Sequence, residues 1–295
     1  IRAGWYYPFM TIYKPTPKII DNALISEGKY LELYDQSIND PDGFWGRVAE
    51  RLDWVKFPTK IKNASFESDV LIKWYEDGVL NACYNCVDRH LPDKADDIAF
   101  IVEGDEPDEQ RHITYAALKD EVCKLANALR ERGVKKGDRV TIYMPMIEQA
   151  CYAMLACARI GAVHSVVFGG FSPEALKGRV QDCKSDVVVT ANEGVRGGKI
   201  IPLKKNVDAA LESCPDVHTV IVFQRTKNET HMQQNRDLWW HEFVDTQPAA
   251  CPCEEMNAEV PLFILYTSGS TCKPKGVLHT TGGYLVYASL THAVV

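Results

Sequence analysis

Residues 266–276, Tyr-Thr-Ser-Gly-Ser-Thr-Cys-Lys-Pro-Lys-Gly, follow an apolar run and combine small hydroxyl side chains, glycine and lysine. Gly269 and its small neighbours let successive backbone N–H groups turn toward one point, and the hydroxyls of Thr267, Ser268, Ser270 and Thr271 add donors. With positive charge from Lys273 and Lys275, the pattern describes a cradle for phosphates. It is not the G-x-x-x-x-G-K-[ST] loop, and Pro274 would obstruct a helix starting there. On composition alone the alternative is a polar strand-end loop that binds nothing.

Two further segments follow apolar runs in the same way. In Phe168-Gly169-Gly170-Phe171-Ser172-Pro173-Glu174, Ser172 as N-cap, Pro173 at the first helical position and Glu174 in the first turn make a strong helix start. The two glycines permit close backbone approach at the carboxyl end of a strand, the edge where open α/β sheets hold ligands. In Glu193-Gly194-Val195-Arg196-Gly197-Gly198-Lys199, the glycine turn presents Arg196 and Lys199, which suit nucleotide phosphates, the first by bidentate contacts and the second as a point charge. A turn needing glycine for conformation alone, and a solvated turn with two unengaged cations, are the bland readings of these segments.

Other reactive side chains carry less. His164 and His279 fall within or beside apolar segments and read as packing residues, and no Ser-His-Asp or Cys-His arrangement follows from residue order. The ten cysteines sit mostly singly on apolar helical faces, as do Cys151 and Cys157, the usage of a reduced, cytoplasmic protein. Cys83 with Cys86 and Cys251 with Cys253 are close in sequence, but the apolar positions around Cys83 repeat helically, so a metal knuckle is not expected.

The elements that must position these residues alternate. Residues 139–144, 164–168, 186–190 and 218–223 are apolar strands separated by helical stretches at 147–161, 173–183 and 202–214, which predicts βαβ units around a parallel sheet, an α/β fold. A polar connection over 224–235 precedes Asp237–Val244, where Trp239 and Trp240 would seat a surface helix, and 261–266 is the final strand. Upstream, an amphipathic helix begins after Thr114, with Leu118, Val122, Leu125 and Leu129 on one face and Gly133 as terminator. Acidic residues 104–110 turn between two strands, and the Asp-Gly of residues 75–78 predicts a hairpin. Before Pro92 the chain is aromatic-rich, reading as short helices and loops that lie on something larger.

Composition bounds the class. With 46% hydrophobic and 25% charged residues among 295 and a net charge of -7, the chain is globular, and it lacks the clustered positive charge of a sequence-independent nucleic-acid binder. No stretch reaches the roughly 18–20 apolar residues of a membrane span, and residues 1–10 do not read as a signal peptide. Starting at Ile1 and stopping inside a helical pattern, the chain is expected to be part of a longer protein.

The stretch 266–276 closely resembles the phosphate-loop signature of the adenylate-forming synthetases. Together with GVLHTTGGYL, MPMIEQACYAMLACARIGAVHSVVFGGFSPEAL, EGVRGGKIIPLKKNVDAAL, NRDLWWHEFV and EEMNAEVPLFILYTSGST, it is similar to the AMP-forming acetyl-CoA synthetases of that superfamily, from about Tyr30 to about Thr291. The resemblance implies an N-terminal extension over 1–92 and the first part of an AMP-binding domain over 93–295. It implies that Thr267, Ser268, Gly269, Ser270, Thr271 and Lys275 hold the phosphates of ATP, which arrives with Mg²⁺, and that Phe168, Gly169, Gly170, Arg196 and Lys199 bind CoA.

The implied reaction makes acetyl-CoA from acetate, ATP and CoA through an acetyl adenylate, a matter mainly of positioning and charge neutralisation. The acyl-pocket tryptophan, the adenine-binding segments and the catalytic lysine of that family have no counterpart here, so the chain alone is expected to be inactive. The sequence departs from the pattern at Cys272, where the family places Gly, and at Glu148-Gln149, a variation that reads as neutral. Two other readings stay open: a non-catalytic nucleotide or CoA-binding module, and a portion of a propionate-activating enzyme.

Overall fold

A computed structural model describes residues 13–67, 69–106, 108–268 and 273–294. The described residues open with α1 (Pro17–Asp21), α2 (Glu27–Asn39) and α3 (Pro41–Ala49), the last capped by Asp40, whose carboxylate accepts from the Gly43 N–H at 3.0 Å. Short strands β1 (Lys62–Ser65), β2 (Leu71–Trp74) and β3 (Val79–Leu80) lead to α4 (Ala82–Cys86), a 3₁₀ turn over Asp88–His90 and α5 (Leu91–Lys94).

The turn at residues 75–78 forms, with Tyr75 at φ 58° and the Gly78 N–H bonded to the Tyr75 carbonyl at 2.8 Å, but it does not close a hairpin. Strand β2 pairs with β1, and β3 pairs with β13 (Met256–Asn257), far along the chain. The cause is Asp77, whose carboxylate accepts from the N–H groups of Thr59 and Lys60 at 2.9 Å each and so binds the turn to an upstream segment.

The expected hairpin of β4 (Ile98–Glu103) and β5 (Gln110–Thr114) is present and antiparallel. Thr114 then caps α6 (Tyr115–Glu131), accepting from the Ala117 N–H at 3.2 Å. Leu118, Val122, Leu125 and Leu129 are all buried, and Gly133 takes φ +88° beyond the helix end.

Alternation then proceeds as β6 (Arg139–Met144), α7 (Glu148–Ile160), β7 (Val163–Phe168), α8 (Pro173–Cys183) and β8 (Val187–Ala191). After a small hairpin of β9 (Gly194–Arg196) and β10 (Lys199–Ile201) come α9 (Leu203–Leu211), β11 (Thr219–Phe223), β12 (Asp237–Trp239) and α10 (Trp240–Phe243). The described chain closes with β14 (Pro261–Thr267), β15 (Lys275–Thr280) and α11 (Thr281–Val294).

Seven strands form one sheet in the order β12-β11-β8-β6-β7-β14-β15, parallel throughout except for β14 with β15. Val188, Val189, Val220 and Ile221 are fully buried on its strands, as expected of a sheet covered on both faces. Two expectations at its edges are corrected. Strand β14 is not the last, because Lys275–Thr280 returns antiparallel beside it; Pro274, which obstructs a helix, leaves an extended continuation. Trp239 ends edge strand β12, and only Trp240 enters the short helix, its ring edge-on to Phe223.

The aromatic N-terminal part lies against this body. Trp45 contacts Phe44, Trp74 and Tyr287 of α11, and the Asn81 amide donates to the carbonyls of Ala158 and Glu254 at 3.0 and 2.8 Å.

Candidate functional site

The strand order reverses around β6, with β7 on one side and β8 on the other, and ligands of open α/β sheets gather outside the carboxyl ends at such a point. A cavity of about 620 Å³ lies there. Met144 at the end of β6, Phe168 at the end of β7 with Gly169 and Gly170 beyond it, and Gly194 to Arg196 of β9 line it, and the β4–β5 hairpin forms the facing wall.

The turn after β7 is shaped by close approach. A Cβ on Gly169 would stand 2.8 Å from the Met144 carbonyl oxygen, so a side chain there would push β6 and β7 apart at their ends. Ser172 caps α8 as predicted, accepting from the Ala175 N–H at 3.3 Å, and the buried Tyr143 donates its hydroxyl to the Phe171 carbonyl at 2.7 Å. The rigid turn leaves the Phe168 ring half exposed, with the Arg196 guanidinium 5.6 Å from its centroid.

Arg196 and Lys199 face each other across the two-stranded β9–β10 hairpin. Gly197 and Gly198 turn it with φ of +56° and +73°, a left-handed pair that explains the double glycine. Arg196 lines the cavity; Lys199, its cross-strand neighbour, is exposed and does not.

Of the candidate phosphate residues, Thr267 ends the neighbouring strand β14, Ser268 follows it and Lys275 begins β15. Since β14 runs parallel to β7, Thr267 leaves the sheet at the same edge as Phe168. Thr267 is paired in register with Lys275 of β15. Gly269, Ser270, Thr271 and the departing Cys272 lie outside the described residues.

Several residues around the cavity escaped sequence reasoning. Arg225 and Arg111 add two cations to its lining, against the acids Glu103, Asp105, Asp108 and Glu109 of the hairpin. Arg225 pairs with Glu109 at 3.2 Å across the mouth, its backbone N–H fixed at 2.8 Å by the buried Asn192 side chain. Arg111 pairs with Glu148 at 2.9 Å, and the Glu148 side chain is 6% exposed. Glu148 is therefore not the neutral variation expected from its place at a helix start, because its carboxylate is buried and holds an arginine of the cavity wall.

His164 and His279 pack as expected. Both rings stack on Phe263, at 5.4 and 4.5 Å, and burial pushes the His164 imidazole down to about 4. Burial likewise raises the Cys157 thiol to about 12, which leaves it unreactive.

The AMP-binding enzyme family matches residues 87–294, and the acetyl-coenzyme A synthetase N-terminus matches residues 30–86. The chain is 59% identical to an acetyl-coenzyme A synthetase of Bradyrhizobium sp. (strain ORS 278), over 96% of this chain and 44% of that protein. It is 62% identical to one of Parvibaculum lavamentivorans over 92% of this chain and 42% of the relative, and 58% identical to one of Brucella canis over 96% and 44%. The chain thus spans less than half the length of these curated relatives. Among the described residues, no helix is long and apolar enough to cross a membrane.

Proposed function

The chain belongs to the AMP-binding enzyme family, and from that premise we propose that it serves acetyl-CoA synthesis from acetate, ATP and CoA in the cytoplasm. An acetate oxygen attacks the α-phosphorus of ATP, pyrophosphate leaves, and the CoA thiol then displaces AMP from the acetyl adenylate. Mg²⁺ enters with ATP as the counter-charge of its phosphates. Within that reaction, Phe168, Gly169, Gly170, Arg196 and Lys199 bind CoA, and Thr267, Ser268, Gly269, Ser270, Thr271 and Lys275 hold the ATP phosphates. Residues 1–92 serve as an N-terminal extension to the first part of the AMP-binding domain, 93–295.

The observation that carries this reading is the placement of two anion-suited segments on one sheet edge. The Phe168 ring offers a nucleotide base a flat apolar face, and Arg196 beside it offers a phosphate a planar donor pair. The end of β14, with Thr267, Ser268 and the cross-strand Lys275, lies one strand away.

Calorimetry with CoA and MgATP tests the assignment. Saturable CoA binding that weakens at least tenfold in R196A supports it, whereas equal binding by R196A and the unaltered chain removes Arg196 from the site. Acetate-dependent pyrophosphate release tests the reaction itself, and release with propionate but not acetate would reassign the acyl substrate.

A further inference from the structure

At the opposite end of α7 from the cavity, two cysteines that are remote in sequence come together. The sulfur of Cys83 on α4, that of Cys253 after α10, and a carboxylate oxygen of Asp88 all lie within 4.8 Å of one another. Arg159 organises the cluster: it holds both carboxylate oxygens of Asp88 at 2.8 Å, donates to the Cys83 sulfur at 3.3 Å and donates to the Cys251 carbonyl.

The arrangement is unsuited to a metal. Asp88 is already neutralised by a guanidinium whose nitrogen also touches Cys83, so a cation would have to displace Arg159 and sit against its charge. It suits thiol oxidation instead, since the two sulfurs lie close together and Arg159 beside Cys83 favours loss of that thiol's proton as its sulfur attacks an oxidised neighbour.

We propose that Cys83 and Cys253 form a reversible disulfide when the protein meets hydrogen peroxide. The two thiols differ in access: Cys83 is fully buried, while Cys253 is half-buried and its thiol donates to Asp88 at 3.7 Å. Cys253 therefore reacts first. Its sulfur attacks one peroxide oxygen, the O–O bond breaks, and the departing hydroxide takes the thiol proton to leave as water, giving a sulfenic acid. The Cys83 sulfur then attacks the Cys253 sulfur, the S–O bond breaks, and the hydroxyl leaves with the Cys83 proton as a second water. Two thiols lose two electrons, and one peroxide becomes two waters.

The Cys253 thiol beside it and burial push the Cys83 thiol up, which leaves Cys83 the second of the pair to react. Once formed, the bond ties α4 to the segment that also receives Lys119 and Asn127 of α6 through the carbonyls of Ala249 and Ala250.

The test is peroxide treatment of the intact chain, thiol blocking under denaturing conditions, and mapping of linked peptides by mass spectrometry. The expected product is a Cys83–Cys253 linkage that has lost two hydrogens and disappears on reduction. It should form unchanged in C86A and fall at least tenfold in C83A, where dimedone should instead capture the Cys253 sulfenic acid. Circular dichroism confirms that C83A is folded, and C253A, altered at the less buried position, provides an independent loss of the same linkage. Linkage within the pairs Cys83–Cys86 or Cys251–Cys253, over-oxidation of Cys253 with Cys83 free, or stoichiometric Zn²⁺ binding that protects both thiols would each overturn the proposal.

Discussion

The guanidinium of Arg179 lies 4.7 Å from the ring centroid of Phe171. Its other neighbour is the ring of Tyr266, at 5.4 Å, and its Nη1 donates to the Ala175 carbonyl at 2.7 Å. Phe171 belongs to the candidate CoA turn and Tyr266 to the strand leading into the candidate phosphate segment, so one buried arginine on α8 joins the two parts of the site.

Replacement of Arg179 tests that joint. R179A should cost about 2 kcal/mol of stability through the lost stack and hydrogen bond, and should weaken CoA and MgATP binding together. R179K keeps the charge but not the planar face, and should recover only part of the loss. Urea denaturation and calorimetry on the same samples provide the check, and an effect on one ligand alone would contradict the joint role.

Gly169→Ala should be worse than its one-carbon change suggests. The added Cβ meets a backbone oxygen, which cannot rotate away, so the ends of β6 and β7 must separate at a cost of about 1–3 kcal/mol. CoA affinity should fall about tenfold or more with little change in circular dichroism. G197A probes a different cause, since its φ is left-handed but the space around it is open.

How much of this was legible in the sequence differs by element. The parallel strands were, because residues such as Val187 to Val189 are apolar on both faces and alternate with helices. Arg179 was not: in Pro-Glu-Ala-Leu-Lys-Gly-Arg-Val it has the look of a solvent-facing cation, and the rings that cover it come from other segments. Strand β3 was visible as a strand but not its partner, which lies at Met256–Asn257. The burial of Glu148 had the same origin, since nothing near it in sequence announces Arg111.

His164 makes stability depend on pH in mildly acidic solution. The unfolded imidazole takes up a proton below about 6.5, whereas the folded one does so only near pH 4, so the unfolded state binds more protons between these values. Stability should therefore fall as pH drops through this window, by about 3 kcal/mol in the limit. H164F should flatten the dependence, and NMR titration of the ring should give a midpoint near the folded value.

Asp237, whose side chain is fully buried, accepts from Arg236 at 2.6 Å and pairs with the buried Lys204 at 2.7 Å. Burial opposes its ionisation, but these hydrogen bonds prevail and hold its carboxyl below the usual range. Its contribution is thus present at neutral pH and lost as pH falls through the folded value. D237N should destabilise the protein by about 3 kcal/mol at pH 7 by leaving Lys204 and Arg236 with Asp208 alone, and the difference from the unaltered protein should shrink in acid; urea midpoints across pH measure both.

Helix α7 runs from Glu148, which secures Arg111 of the cavity wall, to Arg159, which gathers the sulfur cluster. At a rise of 1.5 Å per residue these positions are about 16 Å apart. A rod of that length allows no direct contact between the two side chains, so one helix carries two separate polar anchors, one at each end. Arg111 of β5 is tied to the start of the helix and Asp88 of the 3₁₀ turn to its end, so the same helix fastens the cavity wall and the N-terminal part to the sheet body.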